Sequence, residues 1–346
     1  MNDRAKEAPG YLSRRGFIKV IGAGVGWLLL SRCTPEQRAL GYQPGKTHIT
    51  PFITPNEDFY LVAVDPSFRP SFGVQEANTR WSLTIEGPGG RSKQLSYAEL
   101  TGSAQTEFLY TFECIGNPVG GTLIGNARWT GVPLKKILRE SGLMSPGIRS
   151  VMFHSLDDFY SSISRERVLD DYSFLAVRMN GEPLPPSHGF PARTILPDLY
   201  GMKQPRWLSR IVLQESGETT SYWENRGWAG EVPVKTTSRL DPAADLTAGQ
   251  STSLTGIAFA GVRGVRSVQV SLDGGDSWSS CRLVRGGDPN AWALWRFQWS
   301  EPAEGKRSLL VRAVDGNGAE QTAEVTGTFP NGAGGYDGEQ VTVKKG

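Results

Sequence analysis

The sequence predicts an α+β chain, a mixed α/β domain followed by a β-sandwich, on three observations. Its 346 residues include 42 Gly and 22 Pro, a share that favours short strands and many turns over helical bundles. Strand and helix patterns between Trp81 and Leu213 follow one another without regular alternation. From Thr252 onward, apolar runs return about every 10 residues with turn residues between them, a sandwich signature. A hydrophobic share of 38%, with 10 Trp, 10 Tyr and 14 Phe, excludes wholesale disorder.

Residues 1–33 read as an export leader and not as part of the fold. Ser13-Arg14-Arg15-Gly16-Phe17-Ile18-Lys19 precedes an apolar run from Val20 to Leu30, and the paired arginines look like the twin-arginine type, which carries folded cargo. The Gly22, Gly24 and Gly26 spacing lies inside this run with no strand before it, so it is not a dinucleotide loop. Residues 34–57, rich in Pro, Gly and Thr, form an extended arm. Trp81–Glu86 alternates as a strand and stops at the Gly87-Pro88-Gly89-Gly90 turn. Ser96 with Glu99 three residues later caps a short helix. Phe108–Glu113 is a strand ending at Cys114, and Val132–Leu138 starts a helix with Pro133 in its first turn and Gly142 after its end. Val151–Phe153, Phe174–Met179 and Leu208–Leu213 are further strands.

In the tail the expected strands are Leu254–Ala260, Val265–Leu272, Trp278–Leu283, Trp292–Trp299, Leu309–Val314 and Ala323–Phe329. Trp295, Phe297 and Trp299 alternate and share one face. The polar stretch from Ser238 to Gly249 separates the two parts, which gives domains over 34–245 and 246–346 behind the 1–33 leader.

Charge and sulfur exclude several functions. The net charge is +2, but residues 1–33 hold six basic and two acidic residues, so the remainder has 31 basic against 33 acidic. That balance leaves no nucleic-acid footprint. Three Cys cannot form a disulfide framework, and His48, His154 and His188 are too few for a histidine-built metal cage. No Cys-x-x-Cys-His occurs, so covalent c-type haem is not expected.

Three places could carry chemistry. Cys114 stands at a strand end before Gly116-Asn117-Pro118 and Gly120-Gly121, a loop that brings backbone close to a neighbour. Such a thiol is either a buried structural group, a nucleophile or a ligand for a soft metal. His188-Gly189-Phe190-Pro191-Ala192-Arg193 and Lys203-Gln204-Pro205-Arg206-Trp207 gather cations on loops, either solvated or gripping a phosphate. Asp157, beside Asp158, is a turn residue or a hydrogen-bonding partner.

Taken together, Glu113-Cys114-x-Gly116-Asn117, Trp129-x-Gly131-Val132-Pro133-Leu134, His188-Gly189-Phe190-Pro191-x-Arg193, Tyr200-Gly201-x-Lys203 and Ser271-Leu272-Asp273-Gly274-Gly275 resemble the sulfite oxidase family of molybdenum-cofactor enzymes. The resemblance runs from about Thr54 to the C-terminus, and it implies a sulfite-oxidase-type molybdopterin domain followed by an immunoglobulin-like dimerisation domain. By the same resemblance Cys114 is the sole protein ligand of molybdenum, with a pterin dithiolene supplying further sulfur. Tyr60 and Leu61 touch the cofactor from the arm, Asp157 hydrogen-bonds the pterin, His188 and Arg193 hold its pterin–phosphate body, and Gln204, Pro205 and Arg206 close over the phosphate.

Sulfite-oxidising members hold their anion with several arginines and a tyrosine, and this sequence departs there. Val62 and Val119 stand where two arginines are expected, Trp228 where the tyrosine is, and no arginine matches near Asn331–Gly332. Losing bidentate arginine contacts weakens a dianion site, even with Arg128 or Arg226 nearby. The expectation is an exported molybdenum-cofactor oxidoreductase that transfers oxygen atoms in a less polar pocket lined by Val62, Val119 and Trp228. Its substrate is a neutral or bulkier oxygen donor or acceptor, its redox partner a separate cytochrome or membrane quinone protein, and its assembly a homodimer. The alternatives are a sulfoxide-type reductase on the same cofactor, a metal-free cell-envelope binding module, and a cysteine hydrolase using Cys114 and His188. Trp292, Trp295 and Trp299 are expected in the core or an interface.

Overall fold

Leu83 and Ile85 alternate with half-exposed polar residues, so the Ser82–Glu86 strand turns one face into the first domain's core. It pairs antiparallel with Ser92–Ser96 and parallel with Leu208–Gln214, which is followed across the sheet by Ser150–Ser155 and Tyr160–Ser164. The computed structural model describes residues 50–346 apart from 104, 219 and 244. The leader expected over 1–33 and the start of the arm lie outside the described residues. Ser96 accepts the Glu99 backbone N–H at 3.2 Å while the Glu99 carboxylate accepts the Ser96 N–H at 2.7 Å, the reciprocal cap expected for the Tyr97–Gly102 helix.

A second sheet carries the chemistry. Thr106–Glu113 pairs with Ile124–Pro133, then Phe174–Met179, flanked by Glu182–Pro183 and Arg193–Ile195. Val132 and Pro133, expected to open a helix, instead end this strand opposite Leu175 and Phe174, and the helix runs over Leu134–Glu140. Pairing across the sheet outweighs the local preference of Pro for a first helical turn. Gly131 permits the close approach, because a Cβ there would lie 2.4 Å from the Leu175 carbonyl oxygen.

The tail is a sandwich of a four-stranded and a five-stranded sheet. The first orders Thr237–Leu240, Thr252–Phe259, Ala293–Trp299 and Arg282–Arg285, and the second Leu246–Thr247, Asp337–Lys344, Gly305–Asp315, Val265–Ser271 and Ser279–Ser280. Thr237–Leu240 thus belongs to a sandwich sheet although it precedes residue 246. Trp295 and Trp299 are buried on the shared face, with Phe297 partly buried against the same cluster. The run Trp278–Leu283 divides at Cys281, its two halves pairing with different sheets. Ala323–Phe329 is not a strand: Val325 is 83% and Phe329 59% exposed, and the last strand is Asp337–Lys344. Apolar side chains left largely in solvent give a strand little reason to form, whereas Val343 enters the core.

The sandwich also completes the second sheet. The free edge of Thr106–Glu113 is covered by residues 288–292: the Leu109 N–H donates to the Asp288 carboxylate at 3.1 Å and the Thr111 N–H to the Asn290 carbonyl at 2.9 Å. Trp292 is buried there, donating its indole N–H to the Phe52 carbonyl at 2.9 Å. Arg263 adds ion pairs to Asp198 at 3.2 Å and Asp315 at 2.9 Å. Among the described residues no helix is long and apolar enough to cross a membrane.

Candidate active site

The covered strand ends at Cys114, and the next turn is built to hold it still. The Cys114 N–H donates to the Leu123 carbonyl and its own carbonyl accepts the Asn117 N–H, both at 2.9 Å. The Asn117 side chain accepts the Leu123 N–H at 2.9 Å and donates to the Glu113 carboxylate at 3.0 Å, closing the loop from inside. Gly121 is required for this closure, since a Cβ there would lie 2.3 Å from the Asn117 amide oxygen. Burial pushes the Cys114 thiol up, opposed by the Gly116 N–H and the Arg206 charge, and burial raises the neighbouring Glu113 carboxyl to about 7.

Cys114 faces a cavity of about 320 Å³ whose wall also contains Tyr60, Val62, Asp157, His188, Arg193, Gln204, Pro205, Arg206 and Trp228. Segments spread along the chain from Tyr60 to Trp228 therefore meet at one place. Leu61 and Val119 do not line it; Val119 lies by Gly335 beside a separate small gap. Tyr60 stacks on Phe59 at 5.5 Å between ring centroids, and its hydroxyl stands where a Cβ on Gly201 would be 2.8 Å away. Burial holds that phenol well above its usual value, so it stays a proton donor.

The His188 Nε2 lies 2.8 Å from the Asn56 carbonyl, which can only accept, so Nε2 carries the proton. Burial pulls the imidazole down to about 4, and the ring is neutral at pH 7. Arg193 is buried, donates to the His188 carbonyl at 3.1 Å, and lies over the Phe112 and Trp129 rings at 4.2 and 5.1 Å. Its Nε has no hydrogen-bond partner. Arg206 donates to the Ser187 carbonyl at 3.2 Å and the Val62 carbonyl at 2.6 Å, locking the arm onto the cavity. Asp157 accepts the Phe159 N–H at 3.3 Å, and burial raises its carboxyl against the lowering effect of Arg206.

Gln204 serves the frame more than the cavity. Its amide oxygen accepts the Leu196 N–H at 2.8 Å, and its amide nitrogen donates to the Tyr110 hydroxyl at 3.0 Å and the Leu199 carbonyl at 2.7 Å. Arg128 pairs with Glu107 at 3.0 Å and Arg226 lies over the Tyr222 ring at 3.5 Å; neither lines the cavity. Lys203, grouped in the sequence with cations that could grip a phosphate, does not line the cavity. Its buried ammonium donates to the Ser162 carbonyl, the Ser221 hydroxyl and the Glu224 carboxylate at 2.8, 2.7 and 2.8 Å. This ties the Gln204–Arg206 segment to the turn that presents Trp223 and Trp228 to the cavity. Its signal was its place in Tyr200-Gly201-x-Lys203, beside residues that were singled out.

Among the described residues no group of three or more His, Cys, Asp or Glu could cage a metal. A metal at Cys114 must bring other ligands with it, and the cavity suits that: one thiol and two guanidiniums line a single space, and the Nε of one guanidinium, Arg193, is buried without a partner. The donors fit a soft metal attached to an anionic organic group.

A family model described as the oxidoreductase molybdopterin binding domain matches residues 71–223, and the Mo-co oxidoreductase dimerisation domain matches 233–328. Sulfite oxidase of Gallus gallus is 31% identical over 320 residues, covering 76% of this chain and 67% of that protein. The chain belongs to the sulfite oxidase family. Human mitochondrial sulfite oxidase is 29% identical over 81% of this chain and 59% of its own length. An NADH nitrate reductase of Arabidopsis thaliana is 29% identical over 76% of this chain and 35% of its own length. The chain thus spans about a third to two thirds of these relatives. Sulfane dehydrogenase SoxCD from Paracoccus pantotrophus superposes with a TM-score of 0.69 over 94% of both chains at 19% identity, which shows a shared fold. As a sulfite oxidase family member the protein is a molybdopterin-dependent oxidoreductase, its C-terminal sandwich matching the family's dimerisation domain.

Proposed function

We propose that this sulfite oxidase family member is an exported enzyme that transfers one oxygen atom to or from an uncharged substrate, passing two electrons to or from a separate redox partner. The observation that carries the substrate reading is the cavity wall. Its cations are Arg193 and Arg206, both engaged with backbone carbonyls, while Val62, Trp223 and Trp228 line the same space. A charge-assisted hydrogen bond contributes about 1.5–3 kcal/mol, so a dianion finds little to hold it among these apolar groups.

The bound cofactor supplies two-electron oxygen-atom chemistry at the metal. The chain's residues do the placing. Cys114 would bind as the thiolate, aided by the Gly116 N–H and the Arg206 charge. Arg193 would turn its unpartnered Nε–H toward the anionic body, and Arg206 would hold the arm closed over it. Tyr60 stays protonated, and neutral His188 keeps its ring fixed by Asn56 without adding charge. For a substrate X the balance is X + H₂O giving XO, two protons and two electrons, the electrons leaving to a cytochrome or membrane quinone protein.

The paired Arg14-Arg15 and the apolar Val20–Leu30 support twin-arginine export to the periplasm. The dimerisation-domain match supports a homodimer. Protein expressed with its leader in a cofactor-producing host should hold near-stoichiometric molybdenum, and Cys114→Ser should hold none. Metal-free wild type would favour a binding module instead. Substantial turnover of micromolar sulfite would overturn the uncharged-substrate reading. The second reading, a sulfoxide-type reductase, is favoured by the same apolar wall and predicts turnover with reduced viologen as donor.

A further inference from the structure

The loop between the last two long strands of the sandwich leaves its own domain and reaches Trp228 in the cavity wall. Phe329 on that loop meets Trp228 edge-to-face, ring centroids 5.2 Å apart at 76°. Gly227 makes room for it: φ is +88° there, and a Cβ would stand 3.1 Å from the Phe329 ring. The loop is held from both sides, not loosely draped. The Pro330 carbonyl accepts the Ala229 N–H at 3.1 Å, the Gly332 carbonyl accepts the Lys235 ammonium at 2.6 Å, and the Gln321 amide donates to the Gly335 carbonyl at 2.7 Å.

Phe329 is 59% exposed, and Val62 and Val64, in the cavity wall with Trp228, are 44% and 42% exposed. Single exposed apolar side chains are ordinary, but Val62, Val64 and a Trp228 braced by Phe329 give the cavity that holds Cys114 an apolar wall. Trp228 touches the cavity and Phe329 does not, so Phe329 acts through Trp228.

We propose that Phe329 is a positioning residue that fixes Trp228 as the wall of an apolar subsite, selecting an uncharged substrate that carries an aromatic or branched apolar substituent. This rests on the uncharged-substrate reading above and names the substrate class of that site. An aromatic pair and the area it covers supply about fivefold in affinity.

The test compares dimethyl sulfoxide with methyl phenyl sulfoxide as probes of the molybdenum-loaded protein. Binding is measured by titration calorimetry. Turnover is measured with reduced methyl viologen, each sulfoxide taking two protons and two electrons to give the sulfide and water. Wild type should prefer the phenyl probe by about fivefold or more in Kd. Phe329→Ala should abolish the preference, Phe329→Tyr should keep it, and Val325→Ala, on the same loop, should leave both probes as in wild type. A preference that survives Phe329→Ala, or is absent from wild type, overturns the proposal. If wild type binds with the preference but turns over neither probe, the subsite stands and the oxygen-transfer reading of the substrate falls. A Phe329→Ala effect on oligomeric state with the preference intact assigns the residue to an interface and overturns the proposal.

Discussion

Replacing Lys203 by Met keeps most of the side-chain volume and removes only the ammonium, so the loss isolates one buried charge. Lys203 is 1% exposed and its partner Glu224 14%, and the second Glu224 carboxylate oxygen already lacks a partner. Removing the cation leaves the carboxylate buried and uncompensated and takes one hydrogen bond each from the Ser162 carbonyl and the Ser221 hydroxyl. Breaking a buried pair from one side costs about 3–5 kcal/mol. At about 2–4 °C per kcal/mol for a domain of this size, the melting temperature should fall by on the order of 10 °C. The assay is differential scanning calorimetry of cofactor-free protein, in which retained cofactor cannot mask the change. The double variant Lys203→Met with Glu224→Gln removes the stranded charge too and should recover roughly half of the loss. A single variant that melts within about 2 °C of wild type, or a double variant no better than the single, refutes the reasoning.

Three further outcomes follow from the site. Cys114→Ser should fold with unchanged near-ultraviolet dichroism yet retain no molybdenum by elemental analysis; stoichiometric metal in that variant would remove the thiolate from its role. His188, held down to about 4 against an unfolded value near 6.5, stays neutral in the fold while the unfolded chain takes up a proton. Stability should therefore be full above about pH 6.5 and fall by about 3 kcal/mol toward pH 4, and His188→Gln should flatten that slope in urea titrations. Val62→Arg places a guanidinium at the cavity mouth and should lower the KM for sulfite by about tenfold, with steady-state kinetics as the check.

Which parts of this were legible in the sequence depends on what carried the signal. The Ser96–Glu99 cap and the strand ending at Cys114 are local patterns, and both stand where local chemistry puts them. The strand Ile124–Pro133 was partly hidden because its Gly125 and Gly131 serve close contacts with Phe59 and Leu175, not strand propensity. Tyr160–Ser164 was missed because its buried Ser161 and Ser162 look like loop residues; the Ser221 hydroxyl bonds that license their burial come from 60 positions away. Ala323–Phe329 misled in the opposite direction, its large apolar residues Val325 and Phe329 being exposed. Cys114, His188, Arg193 and Arg206 came as motifs and meet in one cavity, but Val119 and Gln204 show that sequence adjacency does not say which way a side chain turns. Lys203 needed the three-dimensional partners Ser162, Ser221 and Glu224 to acquire meaning.

The edge of the cysteine-bearing strand is finished by Asp288, Asn290 and Trp292, about 180 positions downstream. A ribosome working from the N-terminus makes Cys114 early and its buttress late, so for most of translation the strand has an open flank. Loading of a large, costly prosthetic group onto the nascent chain would meet a half-built receptacle. Assembly is thereby ordered in time: the segment about five-sixths of the way along the 346 residues must be made before the receptacle exists, and it acts as the inspector that certifies it.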